Sequence, residues 1–202
     1  MDLTILALRV AFKPDKDLST TGDGTFLMDI DSLDVGSVQC DGFLVDPPPH
    51  DAPYFHAQLE AVANYFENVS NGKVTFNRDS CRIYPGGNDP IVLEDSMAHY
   101  RPATGEDSND SLLVVLFAES LVAAAADSGI EVLDYDMVVV FHAGLGQDFA
   151  YALDPTPQDI PSAYIDQEMI FNALDTTGIP LPDGSLFDRP GILLPEGQNH
   201  IY

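Results

Sequence analysis

The run "LTILALRVAF", Leu3 to Phe12, is apolar at nearly every position and is of strand length. A strand wetted on one face alternates apolar with polar residues, so a continuous run implies burial on both faces. The chain therefore builds around an interior strand. A second run, "MVVVF" (Met137 to Phe141), is β-branched and uncharged and reads as another central strand.

Helical patterns lie between the two. After "VDPPPHD", where three prolines forbid regular structure, Phe55, Leu59, Val62, Phe66 and Val69 recur at helical spacing. That places them on one face of a helix, with Asp51 as N-cap and Gly72 as its stop. "KVTFNR", Lys73 to Arg78, alternates as a half-exposed strand should. A second helix follows from about Leu112, with "SNDS" as capping material and Gly129 closing it; its apolar residues lie on nearly every side. Strand and helix in alternation predict an α/β fold with part of the sheet parallel. From Ala150 onward the chain is rich in proline and glycine and reads as long loops, broken by "DQEMIFNAL" as a short helix. Residues 1–202 are thus one domain, with a sheet-and-helix scaffold over 1–149 and a loop-rich segment over 150–202.

Charge narrows the partners. Against 33 acidic residues there are 8 basic ones, a formal net charge of −25. Such a field repels phosphate backbones and anionic lipid, so nucleic acid is not an expected partner. It suits cations, salty surroundings or an exported protein, or simply a solvated surface. The most apolar stretch, Leu112 to Ala126, is interrupted by Glu119 and is shorter than the ~20 residues of a membrane span. The opening "MDLTILALRV" lacks the basic start and cleavage site of a secretory signal. Cys40 and Cys81 stand far apart, and either one disulfide or two thiols fits them.

The sequence carries none of the common catalytic motifs. There is no GxSxG elbow, and the one Gly-Lys pair, Gly72-Lys73, closes a helix instead of opening one, so no phosphate loop is formed. The five histidines include no HExxH, and no catalytic or zinc-binding residue is assigned in this chain. In "KPDKDLSTTGDGTF", Asp15, Asp17 and Asp23 alternate with glycine and hydroxyl residues; calcium binding is one reading and an ordinary solvated loop another. His142 ends the second apolar run beside Gly144 and Gly146; a structural role, its ring N–H donated to a carbonyl or carboxylate, is the favoured reading and direct chemistry at the strand end the other. No spacing among the many aspartates singles out a catalytic pair.

Several phrases together carry a likeness. "ILALRVAF", "YFENVSNGKV" (Tyr65 to Val74), "FHAGLGQDF" (Phe141 to Phe149) and the late "LLPE" resemble the N-terminal part of secreted zinc metallopeptidases of the immune inhibitor A type. The resemblance implies a zincin-like fold, a twisted mixed sheet with two main helices packed on it, backing an active-site helix. In that family the active-site helix carries HExxH, whose histidines bind zinc and whose glutamate activates water for attack on a peptide bond. It comes soon after the segment that "GILLPEG" resembles, and this sequence reaches Tyr202 without it. The expectation is therefore an incomplete metallopeptidase domain, cut before its catalytic helix and inactive alone. Its partners would be a peptide or protein substrate and the remaining catalytic segment of the same polypeptide; zinc would be the cofactor, and the location extracellular. On such a scaffold His142, Gly144 and Gly146 would support the cleft. The alternative is a standalone acidic binding module, calcium-stabilised and without catalysis.

Overall fold

The structure, a computed structural model, describes residues 1–29, 47–102, 110–127, 129–147 and 156–196. The chain opens with β1 (Asp2–Leu3) and β2 (Ile5–Ala11), and every residue of β2 is buried. Helix α1 (Ala52–Val69) begins where the sequence predicts: Asp51 accepts a hydrogen bond from the Tyr54 N–H at 3.0 Å, and a proline occupies the first turn. It ends as Asn71 and Gly72 turn left-handed, with φ of 54° and 74°. Short strands β3 (Thr75–Phe76), β4 (Arg82–Tyr84) and β5 (Ile91–Val92) lead to α2 (Ser111–Ala125) and then β6 (Met137–His142). The rest comprises β7 (Ala163–Ile165), α3 (Gln167–Leu174), β8 (Ile179–Pro180), β9 (Leu186–Phe187) and β10 (Gly191–Pro195).

The main sheet has six strands in the order β4-β2-β6-β10-β7, with β5 also paired to β2. Strands β4, β5, β6 and β10 run parallel within it, and β7 closes one side antiparallel to β10. This is a mixed α/β sheet. Side chains alternate across a strand, so Arg9 and Phe141 face one layer while Val10 and His142 face the other. Phe55 of α1 packs against Phe141 with tilted rings whose centroids are 4.7 Å apart, which puts α1 over the first face. Phe117 of α2 lies against Gly191 of β10 on the opposite face. Two covered faces are the physical reason that β2 and β6 carry continuous apolar runs.

Three details differ from the sequence reading. The face of α1 that reaches the sheet is Ala52, Phe55, Leu59 and Ala63, while Val62, Phe66 and Val69 are 40%, 42% and 56% exposed. Alanine permits close approach to the sheet, and the bulkier residues stand to the side of that contact. "KVTFNR" supplies only the two-residue strand β3, paired with β1. The C-terminal segment holds more than loops and a helix: β10 is an interior strand between β6 and β7. Its prolines and glycines bound the strand and do not interrupt its ladder.

Candidate functional site

Parallel strands end on one edge of a sheet, and that carboxyl edge is where α/β proteins gather polar groups. Here β2, β6 and β10 end together. The Ala143 N–H donates to the Val10 carbonyl at 2.9 Å and the Glu196 N–H to the His142 carbonyl at 2.7 Å. Residue 196 is thereby fixed beside the ends of the two neighbouring strands.

Glu196 is 5% exposed, and its carboxylate gathers three donors. Oε1 accepts from the Leu27 N–H at 3.1 Å and meets His50 Nδ1 at 2.6 Å; Oε2 accepts from the Gly144 N–H at 3.1 Å. A carboxylate only accepts, so Nδ1 is the histidine nitrogen that carries hydrogen in this pair. His50 is placed from both sides of its own position. Its N–H donates to the Leu27 carbonyl at 2.8 Å, the next residue, Asp51, caps α1, and its ring stacks on Tyr54 at 4.5 Å. Three segments remote from it in sequence are thus fastened to one buried carboxylate. The arrangement orients an imidazole and anchors the chain leaving β10.

A second carboxylate does similar work nearby. Asp159, 3% exposed, accepts from the Thr21 N–H and from the Thr21 hydroxyl, both at 2.6 Å. Arg9, fully buried within β2, donates to the carbonyls of Pro85, Gly87 and Asn88 at 3.2, 2.6 and 3.3 Å. Its guanidinium lies 5.5 Å from the Phe26 ring centroid and 5.8 Å from that of Phe55. Burial lowers its affinity for the proton, and the charges of Asp51 and Asp89 oppose that loss.

Among the residues singled out by sequence, His142 is fully buried; its Nδ1 is 3.0 Å from the Ala143 carbonyl oxygen and its ring lies 5.8 Å from that of Phe12. It faces the layer of Phe12 and Tyr100, whereas Glu196 and His50 belong to the α1 layer. The two histidines therefore stand on opposite faces of the sheet and do not form one centre. Gly144 adopts φ +89°, and a Cβ there would fall 2.8 Å from Met97 Sδ, so its smallness lets the turn pass and brings its N–H to Glu196. Gly146 is buried close by.

Asp15, Asp17 and Asp23 share one loop and spend their carboxylates within it. Asp15 Oδ1 accepts from the Asp17 N–H at 2.8 Å, Asp17 Oδ1 from the Ser19 N–H and hydroxyl at 2.9 and 2.6 Å, and Asp23 Oδ1 from the Thr25 N–H and hydroxyl at 3.1 and 2.6 Å. The Ser19 hydroxyl holds the Asp17 carboxyl below its ordinary range. Among the described residues, no group of three or more His, Cys, Asp or Glu side chains is disposed to hold a metal ion. Cys81 is half-buried and Cys40 lies outside the described residues. No helix among the described residues is long and apolar enough to cross a membrane.

Sequence reasoning missed His50, Glu196, Asp159 and Arg9 as fixed polar groups. The available signals were slight: a histidine directly before an N-cap, a glutamate directly after a short apolar run, and an arginine inside one. No protein-family profile and no curated protein matches this chain.

Proposed function

We propose that this chain is the scaffold portion of a secreted zinc-dependent metalloendopeptidase of the immune inhibitor A type. The reading rests on the sequence phrases that resemble that family, and one structural observation supports it above others. β10, "GILLP", is an interior strand whose exit is fastened at the carboxyl edge of the sheet by Glu196. On this reading the catalytic helix comes after that strand. A catalytic helix needs a rigid point of departure, because a small misplacement of reacting groups costs orders of magnitude in rate.

On this reading the zinc ligands belong to the catalytic helix that the family resemblance implies after β10, and no chemical step is assigned to the described residues, among which no metal-holding group is found. What the chain supplies is position. Arg9 fixes the 85–88 turn, Gly144 lets β6 turn past Met97, and His50 holds Glu196 at the end of β10.

The test is to read the coding sequence past the codon for Tyr202 and to express the chain with whatever continues in frame. The expected result is an HExxH within the next few dozen codons, stoichiometric zinc, and protein cleavage that a chelator abolishes. A stop codon, or a continuation without that motif, overturns the reading and leaves a binding module.

A further inference from the structure

The carboxyl edge of the sheet is occupied by the Glu196 anchor, but the opposite edge carries a cavity that the proposed function does not use. Helix α2 crosses back between parallel strands, so its C-terminus lies at the amino edge. There a cavity of about 370 Å³ opens between the end of α2, residues 130–133 and the β8–β9 turn. That volume is at the small end of ligand sites. Its floor is apolar, with Ile130, Val132 and Leu181 only 3%, 2% and 7% exposed, and Ala125 beside them. Its rim is Asp127, Glu131 and Asp183, and among the described residues no lysine, arginine or histidine lines it.

Several sources of negative potential converge on this space. The carboxyl end of α2 presents the negative pole of its backbone dipoles. Asp127 is held in place by the Gly129 N–H at 2.9 Å and the Tyr84 hydroxyl at 2.7 Å, and Asp183 by the Ser185 N–H and hydroxyl at 2.9 and 2.6 Å. These bonds, that from Tyr84 first for Asp127 and that from the Ser185 hydroxyl first for Asp183, depress both carboxyls and keep them charged. Arg82 donates to the Gly129 carbonyl at 2.9 Å and lies outside the cavity wall; it keeps its charge and offsets part of the field at Asp127, while Glu131 and Asp183 complete the rim. A bare divalent ion wants six to eight oxygens around it, which an apolar floor does not offer. A neutral hydrocarbon leaves the rim unused, and an anion is repelled.

We propose that this cavity binds an organic cation, an ammonium or guanidinium group on a short apolar chain, with the chain on the Ile130–Val132–Leu181 floor and the charge between the rim carboxylates. The ligand is a free amine or a lysine-type side chain of a peptide, which present the same chemistry. The proposal is independent of the peptidase reading and stands or falls separately.

The experiment tracks the methyl resonances of Ile130, Val132 and Leu181 in the whole chain at fixed ionic strength. The titrants are n-butylammonium, n-butanol, magnesium chloride, and a blocked tripeptide with lysine at its centre. Saturable shifts confined to these methyls with butylammonium, and much weaker ones with butanol, are expected. Glu131→Gln and Asp183→Asn should each weaken binding roughly two- to five-fold, and Ala126→Phe, which fills the cavity, should abolish it. A peptide that binds as well as the amine assigns the ligand to a side chain; a peptide that does not bind assigns it to a small molecule. Equal response to butanol, displacement by magnesium at matched ionic strength, or unchanged binding in Ala126→Phe overturns the proposal. Far-ultraviolet dichroism of each variant shows that it is folded; should one carboxylate variant fail to fold, the other and Ala126→Phe still decide.

Discussion

His50 and Glu196, separated by 146 positions, meet inside the protein with Nδ1 and Oε1 2.6 Å apart. The pair joins the proline-rich entry to α1 with the exit of β10. Removing one member of a buried pair strands the other without its partner, at a cost of about 3–5 kcal/mol. Glu196→Ala should therefore lower unfolding free energy by about that amount in urea titration. Combining it with His50→Ala should cost clearly less than the sum of the two. Strict additivity would show that the contact carries no coupling.

Gly191 presses on Phe117: a Cβ at that position would lie 2.0 Å from Phe117 Cζ. Neither the interior strand nor the helix above it can withdraw without disturbing the layer. Gly191→Ala should cost about 3 kcal/mol, the upper end for overpacking. Phe117→Leu added to it should recover part of that loss, although alone it destabilises. A Gly191→Ala variant as stable as the parent would contradict this packing.

Arg9 meets three carbonyls of the 85–88 turn with one planar fork. Lysine is a single point donor and cannot span them. Arg9→Lys should cost roughly 1–3 kcal/mol and raise amide exchange locally around residues 85–88. Uniform exchange changes across the sheet would point to a general packing defect instead.

Tyr100 is buried and donates to Glu119 Oε2 at 2.6 Å. Burial first, and then that hydrogen bond, push its hydroxyl well above the ordinary tyrosine range. The folded value exceeds the unfolded one, about 10, so the associated stability is complete below that pH. It is lost as pH rises from there through the folded value. Stability should thus decline above about pH 10, and Tyr100→Phe should flatten part of that decline. Tyr84, raised chiefly by its bond to Asp127, contributes in the same direction, so Tyr84→Phe is the companion measurement.

His142 is enclosed in the core on the α2 side. His142→Ala should lower stability by roughly 2–4 kcal/mol, as other large-to-small core changes do. In a longer polypeptide that binds zinc, its zinc content should persist. Loss of zinc at an unchanged melting temperature would make His142 a ligand.

The range of each interaction decides how far it can be read from sequence. β2 and β6 declared themselves because burial on two faces leaves an unbroken apolar run. α1 was legible at its ends, where Asp51 and Gly72 act locally, but its buried face was drawn toward Val62 and Phe66 when Ala63 was the residue against the core. β10 escaped notice because four residues between Pro190 and Pro195 look like a loop until a neighbour supplies the ladder. Glu196 and His50 could not be paired at all. Nothing in "PPPHD" or "LLPEG" encodes a partner 146 positions away; that choice is made by the sheet.

The place of β10 in the sheet also governs the order in which the protein can be assembled. β6 is complete once His142 has emerged from the ribosome, yet its outer edge stays unpaired until Pro195 emerges. At ~5–20 residues per second, that interval is on the order of 3–10 s. Throughout it, the nascent chain presents the bare edge of a hydrophobic central strand, a template for pairing with the wrong neighbour. That interval is an exposed stage in the synthesis of this protein, and holdase chaperones should be found on chains stalled between those two residues.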